Sequence, residues 1–187
     1  MIIIEGPDNA GKSVLADKIS KLISWEVVHS VKITLDNYAQ EDKEFMAYMN
    51  AIRHLNPERI IRDRTYAISE NVYGPIIRGK SLLGVYSGRA LHSLANTQCM
   101  IIYCRPPTKF ILDNNDRDQM DGVIKNHLQL VEKYDSMFSV LDTAGAFVHR
   151  YDYTDSLAWN KLSKSIISHV QLFNIAKDEI HEFTKRS

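Results

Sequence analysis

A chain of 187 residues, 44% of them hydrophobic, can bury one core and is too short for two comfortable ones, so a single domain over residues 1–187 is expected. Lysine plus arginine (23) equal aspartate plus glutamate (23), which excludes a global field favouring nucleic acid or a membrane surface. No apolar run reaches the length of a membrane span and the start of the chain has no basic, signal-type segment, so a cytoplasmic location is expected.

Met1 to Ile4 is a continuous apolar run rich in β-branched residues, which predicts a parallel strand covered on both faces. Gly6, Gly11, Lys12 and Ser13 follow at the spacing G-x-x-x-x-G-K-[ST], a loop whose backbone N–H groups wrap the phosphates of a nucleoside triphosphate such as ATP. Each residue type has its reason. The glycines take angles that a Cβ would forbid and let main-chain amides approach phosphate oxygens. Lys12 puts an ammonium between the terminal phosphates, and the Ser13 hydroxyl is placed to ligate Mg²⁺. The candidate nucleotide-binding residues are therefore Gly6, Pro7, Asp8, Asn9, Ala10, Gly11, Lys12 and Ser13. Leu15, Ile19 and Leu22 then fall at helical spacing with Asp17, Lys18 and Lys21 opposite. An amphipathic helix thus begins at about Lys12 and aims its N-terminal dipole at the phosphates.

Glu26 to Ile33 predicts a second strand, and Asp36 to Asp42 a polar connection. Glu41 to Leu55 places Phe45, Met49 and Ile52 at helical spacing, stopped by Asn56-Pro57. Arg59 to Arg64 predicts a strand that delivers Asp63 and Arg64 at its carboxyl end, the edge where open α/β sheets bind ligands. A carboxylate there can hold Mg²⁺ directly or through water, and Arg64 beside it can reach the donor or an anionic acceptor. The other reading of this pair is a surface ion pair at a strand end.

From Thr65 to Gly79, residues Tyr66, Glu70 and Tyr73 share one helical face before Gly74-Pro75 breaks the helix. A connection over Ser81 to Gly88 leads to a helix over Arg89 to Asn96. Gln98 to Cys104 predicts a buried strand ended by Pro106-Pro107; Cys99 and Cys104 fall on its opposite faces, so they read as reduced, buried thiols. Thr108 to Leu112 starts a helix that runs into the polar stretch Asp113 to Asp121. Val123, His127, Leu130, Tyr134, Met137 and Leu141 mark a long amphipathic helix. Asp142 to Gly145 spells the D-x-x-G of GTPase switches, but no N-K-x-D follows, so it reads as a helix-ending turn. Ala146 to Tyr151 predicts the last strand, and Asp155 or Ser156 caps a final helix whose Leu162, Ile166, Val170 and Phe173 face the body. The seven histidines show no metal spacing. Strands alternating with helices after a phosphate loop give an α/β fold, a P-loop three-layer sandwich with a parallel sheet of about five strands.

At Gly6 to Ser13 and Asp63-Arg64 the sequence resembles the thymidylate kinase-like branch of P-loop nucleotide kinases, including versions carried by bacterial viruses. The loop is similar to that family's G-x-D-x-x-G-K-S, and Asp63-Arg64 to its D-R-[YFHS] motif. Ser69 to Gly74 with Arg78-Gly79, and Gln119 to Val123, are similar to patterns in viral members. The resemblance implies a nucleotide-kinase-like fold, that Asp8 contacts the acceptor's sugar, that Asp63 organises Mg²⁺, that Arg64 holds the acceptor phosphate, and that the segment around Arg117 is a lid over residues 113–122. It also implies a homodimer. Two departures matter: Asn9 stands where several members carry a catalytic arginine, leaving that role to Arg117 with Arg105 behind it, and Thr65 replaces the usual aromatic or serine. Tyr66, Glu70, Tyr73 and Arg78 are candidates for the acceptor pocket, where aromatics stack on a base and the charged pair reads sugar or phosphate.

The leading expectation is therefore an ATP- and Mg²⁺-dependent kinase acting on a deoxynucleoside monophosphate such as dTMP, with Lys12, Asp63, Arg64 and Arg117 as catalytic residues. A neighbouring reading is phosphorylation of a hydroxyl, on a deoxynucleoside or on hydroxymethyluracil within viral DNA, with Glu70 or Asp8 as base. DNA is disfavoured by net neutrality, although Arg78, Lys80 and Arg89 form a local basic cluster. A third reading, of another class, is a nucleotide-binding regulatory switch.

Overall fold

The structure, a computed structural model, describes residues 1–29, 39–55, 58–113 and 122–186, with the side chains of 40, 41 and 175–186 outside that description. Among the described residues, five strands, β1 (Ile2–Glu5), β2 (Glu26–His29), β3 (Ile60–Asp63), β4 (Met100–Cys104) and β5 (Val148–Tyr151), form one parallel sheet in the order β2-β3-β1-β4-β5. The remainder of the second predicted strand and the Asp36 end of the polar connection lie outside the described residues.

β1 is central because it can be: all four of its residues are buried, with Ile2 paired to Ile61 on one side and Met100 on the other. Alternation then sends Met1 and Ile3 to one core and Ile2 and Ile4 to the other. The first core is covered by α3 (Tyr66–Ile77), α4 (Ser87–Ala95) and α6 (His127–Thr143). The second is covered by α1 (Lys12–Ile23) and α7 (Ala158–Arg186). Cys99 sits in the first core and Cys104 in the second, both free and buried, as the spacing predicts. The result is the predicted three-layer sandwich. Because the chain leaves β3 on one side of β1 and takes up β4 on the other, a crevice opens at β1's carboxyl end.

The helices follow the sequence with instructive differences. α2 (Gln40–Arg53) forms, but its buried face is Ala47 and Ala51, packed with Ala67, Leu83 and Ala90, while Phe45 and Met49 are 47% and 45% exposed. The small residues win because they let three helices approach closely. α3 does not break at Gly74-Pro75; it continues to Ile77. Proline there removes one bond to the Asn71 carbonyl, but its ring lies on the exposed side of the last turn and the Arg78 N–H still reaches the Gly74 carbonyl. Packing of Ile68, Val72 and Tyr73 in the core outweighs that loss. The predicted connection before α4 contains a 3₁₀ turn at Gly84–Tyr86, and another at Ile124–Asn126 precedes α6. α5 spans Thr108–Leu112. Asp142 to Gly145 is the helix-ending turn, with the Gly145 N–H on the Asp142 carbonyl at 3.0 Å. Asp155 opens α7 by accepting the Leu157 N–H on its side chain and the Ala158 N–H on its carbonyl.

Candidate active site

The loop between β1 and α1 is shaped by what it must pass. At Gly6 (φ 147°) a Cβ would lie 2.4 Å from the Cys104 carbonyl oxygen, so only glycine lets the chain cross the end of β4. Asn9 (φ 63°) and Gly11 (φ 79°) are left-handed, which turns successive amides inward before α1 opens at Lys12. Lys12 is 8% exposed, and its Nζ donates to the Pro7 carbonyl at 2.6 Å. Burial, with Arg64's charge second, pushes this ammonium down to about 8, against the pull of Asp8 and Glu5. A polyphosphate would restore its charge. The Tyr153 ring packs on Gly11, and Phe110 meets Tyr153 edge-on at 6.4 Å, making an aromatic wall beside the loop.

Ser13 and Asp63 meet as the sequence requires of a cation site. Ser13 Oγ donates to Asp63 Oδ2 at 3.2 Å, and His29 Nδ1 lies 3.2 Å from the same oxygen. Asp63 Oδ1 is buried and, among the described residues, has no hydrogen-bond partner. An unpartnered carboxylate oxygen is costly unless something binds it, and a hard divalent cation is what it fits. Among the described residues no three His, Cys, Asp or Glu side chains could hold a metal, so the protein would give such a cation one carboxylate and one hydroxyl and leave the rest to phosphate and water.

Arg64 is the hub of the other half. Its own backbone is left-handed (φ 75°), a conformation costing a non-glycine residue about 1–2 kcal/mol. One terminal nitrogen donates to the Gly6 carbonyl at 3.2 Å and the Tyr134 hydroxyl at 2.7 Å; the other pairs with Asp8 and reaches Tyr73 at 3.3 Å. Tyr73 also donates to Asp8 at 2.8 Å. Beneath them lies Glu5, wholly buried, which accepts from the Thr65 N–H, from Ser69 Oγ and from Tyr134. Burial pushes the Glu5 carboxyl up, and Arg64, the Thr65 N–H and Lys12 pull it back. Sequence reasoning assigned no role to Glu5, Tyr134 or His29. A single acid closing an otherwise apolar strand was the one available signal for Glu5.

The other predicted residues spread out. Glu70 accepts from Arg78 through both oxygens and from the Leu82 N–H, so this pair ties α3 to the following turn. Tyr66 packs against the cluster of Ala47, Ala51 and Ala67, and burial, then Glu70, pushes its hydroxyl pKa up. Arg105, at the end of β4, pairs with Asp135 and donates to Thr108 Oγ1 at 3.2 Å. Arg117 and residues 114–121 of the expected lid lie outside the described residues.

No family model matches the chain, and no curated protein matches it. Solved structures do. The YorR protein of Bacillus subtilis in complex with phosphorylated GDP is similar at a TM-score of 0.66 and 20% identity, over 92% of this chain and 96% of that one. Deoxyadenosine kinase from M. mycoides with bound dATP is similar at 0.56 and 18%, over 91% and 98%. Shikimate kinase from Acinetobacter baumannii with shikimate is similar at 0.51 and 14%, over 92% and 93%. Likeness at this identity is likeness of fold: the chain has the three-layer α/β architecture of these P-loop kinases.

Proposed function

We propose that the chain is an ATP- and Mg²⁺-dependent kinase that transfers the γ-phosphoryl group to a deoxynucleoside monophosphate of the dTMP type. The observation that carries this is the Ser13–Asp63 contact at 3.2 Å, which joins the phosphate loop to the end of β3, with the second Asp63 oxygen buried and without a partner among the described residues. When bound, Mg²⁺ there neutralises charge on the transferring phosphoryl. The loop amides and Lys12 hold the terminal phosphates. Lys12 exchanges the Pro7 carbonyl for phosphate oxygens, and the Tyr153 and Phe110 rings offer the donor base a face. Arg64, aimed by Tyr73 and Tyr134, meets the incoming acceptor phosphate, and Asp8 meets the sugar. An acceptor oxygen bonds to the γ-phosphorus, the bond to the β–γ bridging oxygen breaks, and ADP leaves. Tyr66, Glu70 and Arg78, expected from the sequence to line the acceptor pocket, would act at most from behind it, since Glu70 and Arg78 pair with each other and Tyr66 packs on the alanine cluster. Similar structures are named as holding nucleotides, phosphorylated GDP in one, dATP in another and dCMP with dCDP in a third, which supports a nucleotide in the site.

One observation favours a hydroxyl acceptor as second reading: Asp8 already pairs with Arg64, leaving less positive charge for an anionic acceptor and a carboxylate able to take a hydroxyl proton. ADP release measured with dTMP, the other deoxynucleoside monophosphates, free deoxynucleosides and a hydroxymethyluracil oligonucleotide separates the two. We expect turnover with a monophosphate, lowered by about 10²–10³ in Lys12→Ala. Turnover only with nucleosides or the oligonucleotide selects the second reading, and equal turnover with and without every acceptor removes both in favour of a nucleotide switch.

A further inference from the structure

Arg64 reaches the phosphate loop only because its backbone is held in the left-handed region, and the structure shows what holds it. Two consecutive residues of β1 bracket its φ and ψ: the Arg64 N–H donates to the Ile4 carbonyl at 2.9 Å, and the next N–H, of Thr65, donates to the Glu5 carboxylate. The same carboxylate accepts from Ser69 Oγ at 3.2 Å, in the first turn of α3, and from Tyr134 at 3.3 Å. Tyr134 in turn accepts from the Arg64 guanidinium at 2.7 Å. The backbone and the tip of one arginine are thus fixed by a single acid, directly at one end and through a tyrosine of α6 at the other. Glu5 and Tyr134 are both fully buried, so neither can touch an acceptor.

We propose that Glu5 and Tyr134 are positioning residues for Arg64, acting through it on the acceptor half of the reaction. The inference rests on the kinase reading above. Strained angles persist only where the surroundings over-determine them, and Glu5 does so, through the Thr65 N–H, from the strand that leads into the phosphate loop.

The test uses Glu5→Gln, which keeps an acceptor oxygen and removes the charge, and Tyr134→Phe, which removes one hydroxyl. We expect kcat/KM for the acceptor to fall by about 100-fold in each, the size of a slight misplacement of a positioning group, with KM for ATP within twofold in Tyr134→Phe, which keeps the Glu5 carboxylate near Lys12. Tyr134→Phe should add nothing in an Arg64→Lys background, because both act on one contact. A readout independent of turnover is the Arg64 guanidinium in ¹⁵N-arginine-labelled protein: its protons should exchange slowly in the parent and faster in either variant. Equal losses for ATP and acceptor in Tyr134→Phe, additivity of that variant with Arg64→Lys, or guanidinium exchange unchanged by both variants would overturn the proposal. If the parent protein turns over no acceptor, the kinase reading fails while the exchange measurement still decides this one. If Glu5→Gln does not fold, Tyr134→Phe is judged by the same criteria.

Discussion

The two corners of the site are built in opposite ways. Around Arg64, the groups Glu5, Asp8, Tyr73 and Tyr134 each have a partner, and the cluster is knitted from β1, the phosphate loop, α3 and α6. Around Asp63, one oxygen is shared by Ser13 and an exposed histidine, and the other has no partner among the described residues. The first corner is complete as protein; the second is one ligand short. A site that must grip an acceptor in one orientation gains from rigidity, whereas one that must take up and release a cation with each nucleotide cannot be satisfied beforehand.

This contrast is open to attack by substitution. Arg64→Met should cost about 3–5 kcal/mol in chemical denaturation, because it strands the Glu5 and Asp8 carboxylates without their counter-charge. A loss under about 1 kcal/mol would mean the corner is not the knit unit described. Asp63→Asn should show the reverse profile: less than about 1 kcal/mol of stability lost, but about 100-fold of turnover, with half-saturation by Mg²⁺ moved to higher concentration. If stability suffers more than turnover, the unpartnered oxygen is structural.

The pH profile sharpens the picture further. Lys12 is held at about 8 in the fold against 10.5 unfolded, so between those values the unfolded chain carries a proton that the folded one does not. Stability should therefore rise with pH across that window and be flat below it as far as Lys12 is concerned, and the rise should vanish in Lys12→Met. Triphosphate affinity should move the other way, falling as pH passes about 8, because the ammonium is the form the phosphates attract. Titration by denaturation and by equilibrium binding checks both signs. The smallest effect on turnover is expected at Arg78, whose side chain is 39% exposed: Arg78→Ala leaves the buried Glu70 carboxylate with the Leu82 N–H and should lose about 1–3 kcal/mol, while raising the acceptor KM by a small factor with kcat unchanged.

The loop and the sheet were legible because their residues announce a local need. Glycines at Gly6 and Gly11 mark forced angles, and an unbroken run at Met1 to Ile4 can be satisfied only by burial on two faces. Asp63 was legible for the same reason, closing a short apolar strand. What stayed hidden depends on partners far along the chain. Tyr134 falls on the apolar stripe of its helix, and nothing in the stripe says that its hydroxyl meets an arginine seventy positions earlier. Arg64's left-handed backbone has no signature, since the residue types that favour it are absent there. The helix continuing through Pro75 and the buried alanines of α2 were misleading locally because tertiary packing, which periodicity does not see, decides which side of a helix is covered.

The position of β1 has a consequence for the order in which the protein comes into being. Of the sheet's five described strands, the one synthesised earliest is the middle one, and its two hydrogen-bonding neighbours arrive only with Ile61 and Met100. The crossing at Gly6 needs the end of β4 in place beneath it. A nascent chain halted before Cys104 therefore has the nucleotide-binding letters but no surface to bend them over, and it should not be captured by immobilised ATP until that stretch has cleared the ribosome.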